Sequence, residues 1–66
     1  MNVEKIGINA GVVWKALEGS KDLSTKDLKK ETKLTEKDLS YALGWLAREG
    51  KVNFSENEKD VYVHLS

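Results

Sequence analysis

The 66-residue sequence has no cysteine and a single histidine, His64. Without thiols there is no disulfide framework and no zinc knuckle, so hydrophobic packing or a second copy of the chain must supply the stability. A chain of this size buries only about 60% of the surface its unfolded form exposes, enough for one thin core. Residues 1–66 are therefore expected to form a single domain. His64 has no second histidine with which to share a metal or activate a nucleophile, and it reads as structural or solvated. No Lys-Ser or Lys-Thr phosphate loop follows Gly7 and Gly11. These absences exclude the common catalytic constellations and imply no enzyme, no cofactor and no metal.

Long apolar runs are missing as well. Glu4 and Lys5 precede a short apolar stretch that is broken by Gly7, Asn9, Gly11 and Lys15, which makes neither a signal peptide nor a membrane span. A cytoplasmic protein is expected. Nor is there an excess of charge, since 11 Lys and Arg balance 11 Asp and Glu. The total thus lacks the basic footprint that drives non-specific nucleic-acid binding. Its distribution is uneven: six lysines meet four acids between Lys21 and Lys37, whereas three cations meet five acids from Asp38 onward, with Glu56, Glu58 and Asp60 crowded together.

What is present is periodic. Val3, Ile6, Ala10, Val13 and Leu17 are spaced 3, 4, 3 and 4 apart, the stripe of an amphipathic helix that ends near Gly19. Lys21 to Ser24 is too short for a helix and reads as an extended link or a short edge strand. Ser24 stands three residues before Asp27, and Thr35 three before Asp38. Each hydroxyl can cap an amide of a helix start, where the acid is also favoured. One short helix is expected over about Thr25 to Thr32, buried through Leu28, then a turn, Lys33 to Thr35, with Leu34 inward. A longer helix runs on to Gly50, with Leu39, Ala42, Leu43 and Leu46 on one side and Lys37, Tyr41, Gly44 and Arg48 on the other. Gly50 suits a left-handed helix end. Val52 and Phe54, then Val61, Val63 and Leu65, alternate with polar residues; pairing Val52 with Leu65 and Phe54 with Val63 leaves Asn57 to Asp60 as the turn of a hairpin.

Helix, short strand, helix, tight turn, helix and two-stranded hairpin is the order of an α+β winged helix-turn-helix domain: three helices, a C-terminal β-hairpin wing and a short third strand at residues 21–24. The segments "NAGVVWKAL" (Asn9 to Leu17) and "ALGWLAREGKV" (Ala42 to Val52) resemble a family of small bacterial and archaeal winged helix-turn-helix proteins of unknown function. The resemblance covers essentially the whole chain, and Gly-Trp-Leu-Ala-Arg-Glu is its most specific part. It implies the fold and, by analogy, a DNA-related role in transcription regulation; it carries over no binding residues.

In such a motif the second helix enters the major groove of double-stranded DNA and presents its early residues to base edges. Glu36, Lys37, Ser40, Tyr41 and Gly44 occupy those positions, with Arg48 farther along. Lys37 and Ser40 can hydrogen-bond bases, Tyr41 can touch a phosphate or a thymine methyl, and Gly44 permits close approach. Lys26, Lys29, Lys30 and Lys33 can neutralise phosphates. The same residues also suit the solvated side of a core helix, and a lysine run is commonly a solubilising face. The acidic wing tip repels phosphates, which favours the alternative of a protein-interaction module on this scaffold.

The first helix is apolar nearly all round. Gly7, Gly11 and Trp14 line a second stripe beside the core stripe, and Ile8 and Val12 a third on the far flank; Trp45, one turn after Tyr41, is also off the core. These six residues are the candidates for self-association, most simply as a homodimer. The other reading is that the wing or the N-terminal residues cover them.

Overall fold

The computed structural model describes residues 1–19 and 22–66. Its elements are α1 (Val3–Glu18), β1 (Leu23–Ser24), α2 (Thr25–Thr32), α3 (Glu36–Arg48), β2 (Val52–Glu56) and β3 (Val61–Leu65). Three helices stand against a three-stranded antiparallel sheet, in the α+β winged helix-turn-helix arrangement expected from the sequence. The short third strand exists as Leu23–Ser24; Lys21 lies outside the described residues.

Local chemistry sets the element ends. Asn2 caps α1 by accepting from the Lys5 amide at 2.8 Å. Ser24 Oγ accepts from the Asp27 amide at 3.1 Å while the Asp27 carboxylate accepts from the Ser24 amide at 3.4 Å, a reciprocal capping box at the start of α2. Thr35 Oγ1 accepts from the Asp38 amide at 3.1 Å and starts α3. Between these helices, Lys33 adopts φ +61°, and the Thr32 hydroxyl donates to Leu28 O at 2.6 Å and accepts from the Leu34 amide at 3.3 Å. A side-chain clamp therefore closes the tight turn. At the far end of α3, Gly50 takes φ +71°, its amide donates to Ala47 O and the Lys51 amide to Leu46 O. This paired termination needs a left-handed residue at Gly50 and delivers the chain straight into β2.

The sheet order is β1-β3-β2, with Leu23 opposite Val63 and with Val52 opposite Leu65, Phe54 opposite Val63 and Glu56 opposite Val61. The core joins Ala10, Val13 and Leu17 of α1, Leu28 of α2, Leu39, Ala42, Leu43 and Leu46 of α3, Val52 and Val63. Leu34 and Leu65 pack at its margin.

The apolar stripe of α1 is longer than the part that is buried. Val3 is 65% exposed and Ile6 half-buried, whereas Asn9 is buried at 8%. The first turn of α1 extends beyond the layer it packs on, and a helix face is wider than a line of i, i+3, i+4 positions. Phe54 also differs from the inward position its alternation suggests: it is 45% exposed while Val52 is buried. β2 is an edge strand whose helical cover ends after Val52, whereas Val63, opposite Phe54 on the central strand β3, stays fully buried.

Leu43, 7% exposed in the middle of α3, provides the test of the core. Leu43→Ala is expected to cost about 2 to 5 kcal/mol through lost burial and the cavity left behind. Chemical denaturation of the variant measures this, and a loss below about 1 kcal/mol would show that the α1–α3 core is not what holds the domain.

Candidate nucleic-acid interface

The clamp at Thr32 and the cap at Thr35 fix where α3 begins, and the leucine face seated in the core fixes which side it turns outward. Lys37, Ser40, Tyr41, Gly44 and Arg48 all lie on that outward side and are exposed, Tyr41 by 50%. Lys37, Tyr41, Gly44 and Arg48 run along the helix at spacings of four, three and four, as a groove-facing row requires, with Ser40 beside them.

Lys26, Lys29, Lys30 and Lys33 are exposed on α2 and the turn after it. They do not form an uninterrupted positive strip with α3. The hollow between α2 and α3 is lined by Lys26 and Lys29 but also by Glu36, with Ser40 at its edge. Lys26 Nζ lies 3.4 Å from Asp60 Oδ1 at the wing, the one ion pair among the described residues. Its lysine side chain is 80% exposed, so the pair is weak and screened. Asp60 of the wing thus has a basic neighbour on α2, and Lys26 is the least free of the α2 cations.

The outward face of α3 is not purely polar. Ser40, Tyr41, Gly44, Trp45 and Arg48 line, with Ile6 of α1, an open and largely apolar groove of about 450 Å³. The spacing of Ile6 assigns it to the core stripe, and only the crossing of α1 over α3 brings it to this face. The Lys26–Asp60 contact had no sequence signal either, since it depends on where the hairpin tip comes to rest.

The six candidates for self-association separate into two groups. Gly7, Gly11, Trp14 and Trp45 share a shallow hollow at the junction of α1 and α3. Trp14 is half-buried and packs on the core, while Trp45 is 38% exposed. Ile8 and Val12, 62% and 42% exposed, stand apart from that hollow on the flank of α1. Among the described residues, no group of three or more Asp, Glu or His side chains is placed to hold a metal ion, and no helix is long and apolar enough to cross a membrane. His64 lies half-buried in β3 opposite Asn53.

The chain is similar to the solution structure of protein BT2368 from Bacteroides thetaiotaomicron, with 32% identity and a TM-score of 0.88 over 98% of this chain and 79% of that one. It is similar to a chain from a structural study of the DNA recognition and protein interaction domains of HOP2, with 25% identity and a TM-score of 0.74 over 88% of this chain and 98% of that one. It shares the fold of the PcaV transcriptional regulator from Streptomyces coelicolor, at 13% identity and a TM-score of 0.77, over all of this chain and 45% of that one. No curated protein matches the sequence. The family model described as "Winged helix-turn-helix domain (DUF2582)" matches residues 1–65, and the chain belongs to that family, the kind its Gly-Trp-Leu-Ala-Arg-Glu run resembles.

Proposed function

We propose that this chain is a single cytoplasmic DNA-binding domain with a regulatory role in transcription, reading double-stranded DNA with α3 and acting as a homodimer. The observation that carries the DNA reading is the row Lys37, Ser40, Tyr41, Gly44 and Arg48, exposed together on the outward side of the second helix of the motif. Lys37 and Ser40 supply donors for base edges, Arg48 and the α2 lysines supply phosphate contacts, and Gly44 lets the backbone come close. The likeness to a chain from the HOP2 study of DNA recognition supports this reading. Self-association is supported by the exposed apolar side chains, Val3, Ile8, Val12, Trp45 and Phe54 among them, on a chain of 66 residues.

A second reading has its own observation. The apolar groove around Tyr41 and Trp45 occupies part of the same face, and the wing tip is acidic. An apolar protein segment fits that groove better than a phosphate backbone does, which favours a protein-interaction module.

Titration with mixed-sequence duplex DNA separates the two. Acids accompany most of the cations, so a single copy is expected to bind with a dissociation constant on the order of micromolar or weaker at physiological salt. Lys37→Glu combined with Arg48→Glu leaves the core untouched and is expected to abolish binding; unchanged affinity would rule out α3 as the reading element. Gly44→Ala provides a finer test. A Cβ at Gly44 meets nothing within 4 Å inside the protein, so the variant is expected to be more stable by about 0.5 to 1 kcal/mol. It is nevertheless expected to bind DNA more weakly, because the methyl fills the space the DNA approaches. A variant that gains stability and keeps its full affinity would show that Gly44 is not part of the interface.

A further inference from the structure

We propose that the free edge of β2 pairs antiparallel with β2 of a second copy of this chain, about a twofold axis at Phe54, joining two three-stranded sheets into one. The proposal rests on the self-association part of the function proposed above and goes further by naming the surface.

Two main-chain bonds set the phase of the hairpin. The Asn57 amide donates to Asp60 O at 3.0 Å at the tip, and the Ser66 amide donates to Lys51 O at 3.1 Å at the base. With the observed register, Lys51 with Ser66, Asn53 with His64, Ser55 with Tyr62 and Asn57 with Asp60 are the hydrogen-bonded pairs. The main-chain N–H and C=O groups of Val52, Phe54 and Glu56 consequently point away from β3. In the order β1-β3-β2 no strand among the described residues stands on that side.

The two sheet edges are unlike. β1 has two residues, too few to template another strand, while β2 has five in unbroken register. β2 contains no proline, no lysine and no bulge, the devices that ordinarily blunt an exposed edge. It carries instead Phe54, 45% exposed.

The pattern along β2 selects a second copy as the occupant. Centred on Phe54, antiparallel pairing sets Phe54 opposite the partner's Phe54, Val52 opposite the partner's Glu56, Asn53 opposite the partner's Ser55 and Lys51 opposite the partner's Asn57. No two like charges face each other, and each outward residue exchanges both its bonds with its opposite number. Lys51 stands immediately before β2, and Glu56 and Glu58 at its far end. Antiparallel pairing brings the acidic end of each strand beside the basic end of the other, whereas parallel pairing would stack like on like. The acidic wing tip, which DNA binding leaves without a use, thereby acquires one, and the outward face of α3 takes no part in the contact.

The test combines sedimentation equilibrium with amide hydrogen exchange on the full chain, from a few micromolar to hundreds of micromolar. A dimer is expected, with the Val52, Phe54 and Glu56 amides becoming protected as concentration rises. The Asn53 and Ser55 amides, bonded to β3, should be protected throughout and so report that the hairpin is folded. Phe54→Lys, and separately a synthetic chain N-methylated at the Phe54 amide, should each raise the dimer dissociation constant by about tenfold or more. A dimer that survives both changes but is lost on Val12→Glu would overturn the β2 interface and leave self-association standing. A monomer at every concentration would overturn both, and concentration-independent exchange at the three outward amides would also contradict the proposal.

Discussion

Ala10, Val13 and Leu17 of α1 meet Leu39, Ala42, Leu43 and Leu46 of α3, and no other pair of elements shares as much contact. Each buried leucine contributes about 1.5 to 3 kcal/mol relative to exposure, so in a chain with one thin core this packing dominates stability. It also fixes which side chains of α3 face outward, because a helix with one face committed to the core has its opposite face defined by arithmetic. Seating Leu39, Leu43 and Leu46 inward places Lys37, Tyr41, Gly44 and Arg48 outward. α1 crosses that packing with Ile6 at the margin, and the crossing creates the apolar groove on the outward face.

The other elements restrain the ends of this pair. The Ser24–Asp27 capping box and the Thr32 hydroxyl set the length of α2 and the tightness of the turn into α3. The Gly50 termination turns the chain directly into the wing, and β1, through Leu23 opposite Val63, ties the start of the helix-turn-helix to the sheet. Stability and orientation are thus supplied by the core and the caps, and the exposed surfaces of α3 and β2 are left to vary in chemistry without disturbing the fold. This separation explains how one scaffold can carry both a polar row and an apolar groove on adjoining parts of the same helix.

Much of the architecture was legible in the sequence because its signals are local. Ser24 and Asp27, Thr35 and Asp38, and Gly50 each act within one turn of the chain and give the helix bounds, while the alternation of Val52 and Phe54 with Val61, Val63 and Leu65 across a short turn gives the hairpin register. The outward row of α3 was legible for the same reason, as helical periodicity alone separates it from the leucines. What could not be read depends on contacts between distant segments. Val3 and Phe54 have the spacing of buried residues, yet the partner layer ends before it reaches them. Ile6 in the groove and Lys26 beside Asp60 are both products of how elements cross, and no short window of sequence contains them.

Amide chemical shifts recorded while mixed duplex DNA is added at low salt test residue by residue whether the outward row of α3 meets DNA. Perturbations concentrated at Lys37, Ser40, Tyr41, Gly44 and Arg48, fading as salt is raised and sparing the acidic tip from Asn57 to Asp60, are the expected result. Shifts absent from α3, or confined to the wing, would contradict it.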